Sequence, residues 1–445
     1  MTLLDGIRSR RLTGAPTRRQ LLAFGGAAFP IQLMTQTFSA FVVYFYTAHL
    51  GVPPEWVAAA MIAHGILNAL LNPLVGTVSD RMRTPWGRRV PWIGLGIVPL
   101  VVAFALVWVP PALSHGGLIV WFLVVVALYD IAFVVVVLNI SALFPEIFRT
   151  TAERARGNVP RQVFGIVGMV LGTAGAPALY GTIGWAGMAI VLSVVCLGML
   201  AWSFGGGMIE REAAPEPEER MPWTAQLGYT FANRAFVFYV LGSLLVQTSI
   251  AVILAAIPFY VRYSLGAADA DGSILLGAIF AAAIPAIFGW GWVLRHLAPR
   301  TALLIAVAVF GVTVLCYWFP ASVIGAALVG VGVGVGVGGL LQLIEVVLAQ
   351  VIDEDAARTG RRREGVYFGV NGLIVRGSIV IQAIVAAWVL RASGFDAALG
   401  HAQPESVDGG IRIMLAVIPL GFTALSFLCF WLFPIRERDV VPPLG

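Results

Sequence analysis

Two ionisable residues lie deep inside apolar stretches of this 445-residue chain, and they are the first candidates for chemistry. Asp130 lies 14 residues after Gly116 and 15 before Pro145, and Arg376 lies 15 residues before Arg391. Because a helix rises about 1.5 Å per residue, each side chain would be about 20 Å from a helix end. A charge at the centre of a membrane helix costs about 2.5–3.5 kcal/mol and usually faces a cavity or a partner. We predict that both residues serve a substrate or coupling site, with purely structural pairing as the alternative.

The composition indicates which kind of element must hold these charges. Hydrophobic residues make up 59% of the chain and charged residues 11%, with a mean hydropathy of +0.90. Soluble domains carry about 25% charged residues, so no soluble core could absorb this excess of apolar side chains. A spanning helix needs about 20 mainly apolar residues, and the chain therefore has the length and composition for roughly twelve spans.

The apolar runs fall into two sets of six, separated by the longest polar stretch of the chain. They predict helices near residues 20–48, 55–79, 91–110, 117–144, 158–180, 185–206, 235–262, 273–295, 301–319, 321–351, 366–391 and 410–433. We therefore predict an all-α polytopic membrane protein with its transmembrane helices in two six-helix bundles. The predicted parts are a cytoplasmic N-terminal segment, the first bundle, a cytoplasmic linker, the second bundle and a cytoplasmic tail, at 1–19, 20–206, 207–234, 235–433 and 434–445.

The arginines indicate how the chain is oriented. The N-terminal segment, the loops after the even-numbered predicted helices and the tail contain 23 of the 28 basic residues, all of them arginine. The opposite face contains Arg262, Arg391 and Arg412. Cytoplasmic loops are enriched in basic residues, so both termini are predicted to be cytoplasmic, in a cell (inner) membrane. Because the charge is spread over short loops and forms no single soluble face, nucleic-acid binding is not predicted.

The loop after the second predicted helix carries a motif that indicates a family. Residues 72–92 read NPLVGTVSDRMRTPWGRRVPW, with a glycine one turn before an acid and a basic cluster. This loop resembles the signature loop of the major facilitator superfamily. Its two ends resemble, more narrowly, the glycoside-pentoside-hexuronide:cation symporters, the family of the melibiose permease, to which lysolipid carriers are related. Stretches at 145–161, 233–236 and 360–369 are also similar to that family.

The resemblance implies two pseudo-symmetric bundles around a central cavity near the membrane midplane, with alternating access by rocking. It implies a monomeric secondary transporter for a small-molecule substrate, with a sugar or glycoside as the favoured cargo, surrounded by membrane lipid and without a cofactor. A lysolipid or another amphiphile is the alternative cargo. A non-transporting membrane sensor or assembly factor is the alternative of another class. An enzyme is not predicted, because the sequence shows no metal cluster, nucleophile–base pair or phosphate loop.

The resemblance also exposes a departure at the coupling site. Carried over without gaps, three positions where the sugar symporters have cation-binding acids hold the amides Gln32, Asn68 and Asn72. Without a carboxylate, such a site offsets little of the cost of dehydrating sodium, so sodium coupling is disfavoured and proton coupling is the hypothesis we keep. Alternatively, Asn68 and Asn72 hydrogen-bond to a neighbouring helix. His64, one turn before Asn68, is interpreted as structural.

The two deep charges fit the resemblance unequally. Arg376 lies in a Val-Arg-Gly-Ser segment that resembles the part of helix 11 where the sugar symporters carry a functional basic residue. Asp130 is seven residues out of register with the acid that the family has in helix 4, which is close to two helical turns. We predict that Asp130 and Arg376, one from each bundle, act together.

The remaining charges predict a cytoplasmic network that closes one face and opens as the bundles rock. Glu345 and Arg161 lie nearer the cytoplasmic ends of their helices and are expected to form salt bridges there, with a proton relay as the alternative for Glu345. The predicted members of the gate network are Asp80, Arg81, Arg88, Arg89, Glu146, Arg154, Arg161, Asp353 and Arg361.

Two further features are interpreted as packing. The glycine-rich run from Gly332 to Gly339 lies inside a predicted helix and lacks the ending of a nucleotide-binding loop, so it predicts close contact between helices. Cys196, Cys316 and Cys429 lie singly in apolar segments, without a CxxC pair. Neither feature predicts a ligand.

Overall fold

The computed structural model describes residues 15–81, 84, 87–209, 228, 230–359 and 364–434, without the side chains of Asp80, Thr151, Glu364 and Gly365. Helices account for most of this described part, and its only β contact is a bridge between Thr84 and Gly87. The predicted all-α fold is therefore confirmed. The described chain divides into two compact units, and the change between them falls in the predicted linker, 207–234.

The first unit comprises the described residues up to Phe45 and from Ala59 to the linker. Its helices are α1 (Arg18–Gly26), α2 (Ala28–Tyr44), α3 (Pro54–Arg81) from Ala59 onward, α4 (Val90–Val107), α5 (His115–Ile147), α6 (Thr151–Val170) and α7 (Ala176–Gly207), with a π-helical turn at Leu171–Gly175. A second π-helical turn, Phe45–His49, crosses from the first unit into the second. Helix α4 packs along α5 and α7, whereas α2 packs along α6. The core of this unit is thus formed along these helix pairs.

The second unit comprises the described residues beyond the linker together with Tyr46–Ala58, a grouping that the sequence did not predict. Its α-helices are α8 (Arg234–Phe259), α9 (Gly272–Val293), α10 (Pro299–Leu315), α11 (Val323–Thr359), α12 (Glu364–Ser393), α13 (Glu405–Arg412) and α14 (Ile418–Trp431). Helices α9 and α10 pack along α11, and α8 packs along α12 and α14. Short π-helical turns at Tyr260–Ser264 and Ile413–Val417 extend α8 and join α13 to α14.

Ten segments of the described chain are long and apolar enough to cross a membrane, two fewer than the sequence predicts. One difference lies in Ala152–Gly207, a run of 56 residues that is broken at Gly184, where φ is +75°. A bilayer is crossed by about 20 residues, so this run has the length of two spans. The other difference lies at Ala27, where a turn separates α1 and α2 into helices of 9 and 17 residues.

The surface of these helices has the character expected in a bilayer. Phe288 is 77% exposed, Ile324 75% and Val120 62%, each on a long apolar helix. Apolar side chains exposed to this extent over whole helices would be unfavourable in water and favourable against lipid tails. The protein is therefore a multi-pass membrane protein.

Two helices extend further than the apolar runs predicted. Helix α6 begins at Thr151 and not near residue 158, because Thr150 and Glu153 form a capping box that starts the helix in polar sequence. Helix α11 ends at Thr359 and not near 351. Hydropathy alone predicts that a helix ends where its apolar run ends, whereas polar residues continue these two helices past that point.

The glycines of α11 lie where the sequence predicts close packing. A Cβ atom added to Gly334 would overlap the carbonyl oxygen of Ile279 in α9, and one added to Gly336 would lie 2.7 Å from the Cα of Phe310 in α10. Backbone atoms at these positions leave no room for a methyl group. The prediction that this run serves helix packing is therefore confirmed.

Substituting Gly334 with alanine is expected to lower the thermal stability of the detergent-solubilised protein. The helices must separate to admit the methyl group, and such overpacking costs about 1–3 kcal/mol. Gly277→Ala in the facing helix α9 is the matched control, because its added Cβ meets no atom within 4 Å. A melting temperature of Gly334→Ala equal to that of Gly277→Ala would contradict this account of the packing.

Candidate functional site

Asp130 occupies the centre of a polar cluster in the first unit. Its side chain, on α5, is 1% exposed, and both carboxylate oxygens have partners on α3. His64 Nδ1 lies 2.7 Å from Asp130 Oδ2, and Asn68 Nδ2 donates to Asp130 Oδ1 at 3.2 Å. We call His64, Asn68, Asn72 and Asp130 the polar cluster.

The spacing of the cluster residues follows from helix geometry. His64, Asn68 and Asn72 are each four residues apart, so they lie on one face of α3, one turn above the other. Asn72 Nδ2 donates to the backbone oxygen of Asn68 at 2.7 Å and lies 3.3 Å from Asn68 Oδ1. Asn72 thereby orients the amide of Asn68, which in turn holds the carboxylate of Asp130.

Aromatic rings enclose the cluster on one side. The ring of Phe38, on α2, lies 5.3 Å from the ring of His64 and stacks on Tyr129 at 5.5 Å between centroids. Both Phe38 and Tyr129 are buried. The apolar surroundings exclude solvent from Asp130, which strengthens its hydrogen bonds to His64 and Asn68 and raises the cost of leaving the carboxylate ionised without them.

A cavity of about 230 Å³ adjoins the cluster between α3 and α5. The residues that line it are Ala60, Ala63, His64, Leu67, Phe122, Leu123, Val126 and Ala127. Seven of these side chains are apolar, and His64 is the polar member of the lining. The imidazole therefore borders both the cavity and the buried carboxylate.

The structure places the predicted coupling residues in more than one location. Asn68 and Asn72 join Asp130 in the polar cluster, whereas the side chain of Gln32, on α2, is exposed and lies beside Gly165 of α6. The alternative that the two asparagines bond to a neighbouring helix is met for Asn68, which donates to Asp130 on α5, whereas Asn72 donates to Asn68 within α3. Asn68 thus makes a contact between α3 and α5 at a position that was predicted for the coupling site.

The other predicted charges of the site belong to the second unit. Arg376 lies on α12 and Glu345 on α11, and both side chains are exposed. The joint action of Asp130 and Arg376 therefore stays a prediction.

Part of the predicted gate network lies where the motif loop meets the end of α5. Arg88 Nη2 lies 2.8 Å from Glu146 Oε1, and Arg89 Nε lies 3.5 Å from the same atom. The guanidinium of Arg89, which is buried, also donates to Ser79 Oγ at 3.0 Å and lies 3.4 Å from Asn139 Oδ1. The motif loop is thereby fastened to the end of α5.

The remaining members of the predicted network have varied surroundings. Arg154 Nε donates to the backbone oxygen of Phe148 at 3.0 Å, and the Arg161 guanidinium lies 5.5 Å from the ring centroid of Phe144. The side chains of Arg81 and Asp353 are exposed at the ends of α3 and α11. The side chain of Asp80 and the whole of Arg361 lie outside the described residues.

Two residues of these clusters were not selected from the sequence as functional. His64 was interpreted as structural, although its position one turn before Asn68 placed it on the face that carries the amides. Asn139 was not singled out, yet it lies two and a half turns after Asp130 on α5, where it binds Arg89. A search for polar residues at helical spacing from Asn68 would have found His64.

Comparisons with known proteins agree with this architecture. Residues 23–437 match the family described as MFS/sugar transport protein. The isoprimeverose transporter of Lactiplantibacillus pentosus is 22% identical, over 90% of this chain and 86% of its own. The sodium-dependent lysophosphatidylcholine symporter 1 of Xenopus tropicalis is 23% identical, over 94% of this chain and 86% of its own.

A similar fold occurs among solved structures. The crystal structure of a bacterial homologue of the human lysosomal transporter Spinster, in an inward-facing and occupied conformation, superposes with a TM-score of 0.70. The match covers 96% of this chain and 100% of that protein, at 13% identity. This likeness concerns the fold.

Proposed function

Because this chain belongs to the MFS/sugar transport protein family and is therefore a secondary transporter and not an enzyme, we propose that it carries a sugar or glycoside by alternating access, coupled to a proton. The support for a sugar comes from the family and from relatives such as the isoprimeverose transporter. The support for a proton comes from the polar cluster, in which Asp130 is a buried carboxylate.

The observation that carries the coupling proposal is the burial of Asp130. An ionised carboxylate inside a membrane protein is costly, and here it is held by one imidazole and one amide. Adding a proton to Asp130 removes its charge and weakens its attraction for cationic partners. Loading and unloading of a proton would thus change the stability of the state in which the carboxylate is bound, which is what coupling requires.

The same cluster is poorly suited to sodium. Asp130 is its one carboxylate, and the amide of Asn68 presents its NH₂ group to that carboxylate while its oxygen lies 3.3 Å from Asn72 Nδ2. A hard cation needs several oxygen ligands at once. The amide oxygen that would have to coordinate sodium here is already within hydrogen-bonding distance of a donor.

Replacing sodium by choline is therefore expected to leave uptake into proteoliposomes unchanged at fixed pH and membrane potential. The physical reason is that proton binding at Asp130 needs no oxygen cage. The measurement is the initial rate of uptake with each salt, for a substrate identified by counterflow. A steep sodium dependence that is lost in Asn72→Ala would refute the proposal and indicate an ion site built from amides.

We further propose that both termini and the linker are cytoplasmic in a cell inner membrane and that the protein works as a monomer. The arginine distribution supports the orientation, because 23 of 28 lie on one predicted side. On this orientation the contacts of Arg88 and Arg89 with Glu146 belong to a cytoplasmic gate that opens and closes as the bundles rock. The predicted roles of Asp80, Arg154 and Arg361 in that gate stay proposals.

A lysolipid or similar amphiphile is the second candidate cargo, and a specific observation favours it. The cavity beside the polar cluster is lined by seven apolar side chains, which could not satisfy the hydroxyl groups of a sugar. An acyl or alkyl group would suit that lining. The lysophosphatidylcholine symporter among the relatives supports the same candidate.

Counterflow in proteoliposomes tests the transport function and separates the two cargoes. Vesicles preloaded with one compound from a panel of mono- and disaccharides, glycosides and lysophosphatidylcholine are diluted into the same compound in radioactive form. Transient accumulation of label with a sugar or glycoside is the expected result, and accumulation with lysophosphatidylcholine alone would favour the amphiphile. Empty vesicles provide the control, and no counterflow with any compound would contradict the proposed function.

A further inference from the structure

His64 separates the buried carboxylate of Asp130 from the cavity. The Asp130 side chain is 1% exposed, whereas that of His64 is 11% exposed and lines the cavity. Of the two side chains that hold Asp130, Asn68 is an amide and does not titrate, so His64 is the partner that can accept and release a proton.

We propose that His64 is the residue through which Asp130 exchanges its proton with water, and that the cavity between α3 and α5 is the vestibule for this exchange. The proposal rests on the proton coupling proposed above and assigns a role to a residue that the sequence indicated as structural. In this proposal His64 passes the proton between Asp130 and the cavity, and we therefore call it a relay.

The relay step balances with one proton in and one proton out. A proton binds Nε2 from the cavity water, which gives an imidazolium ion whose Nδ1–H faces Asp130 Oδ2 at 2.7 Å. The Nδ1 proton then moves to Oδ2, which leaves a neutral imidazole protonated at Nε2 and a neutral carboxylic acid. Release follows the same steps in reverse, so the ring does not have to turn over between cycles.

The surroundings of His64 favour this path. Asp130 on α5 is the charged group bonded to the imidazole, Asn68 lies one turn along α3, and α2 contributes the apolar ring of Phe38 and the cavity side contributes apolar side chains. No other acid or base is bonded to the ring among the described contacts. The small residues Ala60, Ala63 and Ala127 leave a volume of about 230 Å³ beside the imidazole, and His64 is the polar group of the lining to which an entering water can bond.

Time-resolved infrared spectroscopy after a rapid drop in pH tests the proposal without requiring a known substrate. The protein in lipid nanodiscs is followed through the carboxylic C=O stretch that appears as Asp130 gains its proton, assigned by its absence in Asp130→Asn. Positioned acid–base groups accelerate proton transfer about 10²–10⁴-fold. Both His64→Phe and His64→Gln should therefore lower the rate at which this band appears by on the order of a hundredfold.

The variants separate a relay from a structural role. Glutamine preserves a hydrogen bond to Asp130 but does not titrate. Wild-type speed in the appearance of the band in His64→Gln would therefore overturn the proposal, even if the band appeared slowly in His64→Phe. Imidazole added to His64→Gly should restore the fast phase, because the enlarged cavity admits the free base. His115→Phe, at the start of α5, is the matched control and should respond like the wild type.

The outcomes also distinguish this inference from the proposed function. Equal rates in the wild type, His64→Phe and His64→Gln would overturn the relay, whereas counterflow would still report transport. Absence of the Asp130 band in the wild type would overturn both the relay and proton coupling. Absence of counterflow with the wild-type protein would contradict the transport function, and the infrared result would still decide the relay.

Discussion

Asp130→Asn is expected to abolish accumulation of substrate against its gradient while leaving counterflow in place. Asparagine preserves the shape of the side chain and can still bond to His64 and Asn68, but it cannot gain or lose a proton at physiological pH. Counterflow moves substrate in both directions without net proton movement and therefore does not need the carboxylate. Accumulation does need it, if the proton enters at this residue.

The size of the effect follows from the driving force. One unit of pH gradient is worth about 1.4 kcal/mol per proton, which supports about tenfold accumulation in a one-to-one symporter. The wild type should approach this ratio, and Asp130→Asn should fall to a ratio of one. Asp396→Asn, in the loop between α12 and α13, is the control, because an asparagine oxygen can accept the hydrogen bond that the Ala398 amide donates to Asp396 Oδ1. Wild-type accumulation in Asp130→Asn would show that the carboxylate is structural, and Glu345 would be tested next.

Arg376→Ala is expected to impair both accumulation and counterflow. The arginine lies well inside α12, and its charge is costly in a membrane unless it faces a cavity, a substrate or a partner. We propose that it binds the substrate and acts together with Asp130, as the sequence predicts. Removing such a charged donor should lower the rate of either process by on the order of tenfold or more, because charged hydrogen bonds contribute about 1.5–3 kcal/mol.

A second arginine on the same helix provides the control for this prediction. Arg391, at the end of α12, is 73% exposed and lies 3.6 Å from Glu55, so its loss removes one surface ion pair. Arg391→Ala should retain transport at normal expression. Equal activity of Arg376→Ala and Arg391→Ala would refute the role of Arg376. Loss of accumulation with intact counterflow in Arg376→Ala would instead restrict this residue to coupling.

Much of the site was predictable because membrane helices make charges conspicuous. Asp130 stands out as an acid in an apolar run, and its burial agrees with that prediction. The asparagines were reached only through the family resemblance, which selected Gln32, Asn68 and Asn72 together. The structure brings Asn68 and Asn72 into the polar cluster, whereas Gln32 lies against α6. Register along one helix was thus predictable, whereas the neighbour of a residue on another helix was not.

The histidine illustrates the same limit. A single His64 on an apolar helix gives no sign of its partner, because Asp130 is 66 residues away in sequence. The grouping of Tyr46–Ala58 with the second unit depends on tertiary contacts and has no local signal either. In contrast, the start of α6 has a local sequence signal, the capping box formed by Thr150 and Glu153. A search for apolar runs alone does not detect it.

Proton movement driven by substrate tests the central claim most directly. Proteoliposomes in weakly buffered medium without a pH gradient receive a substrate identified by counterflow, and an external pH electrode records the response. If the protein is a proton symporter that works through Asp130, the medium becomes alkaline as substrate enters, a protonophore abolishes the change, and Asp130→Asn gives none. Entry of substrate into wild-type vesicles without alkalinisation, or an undiminished response in Asp130→Asn, would contradict the account.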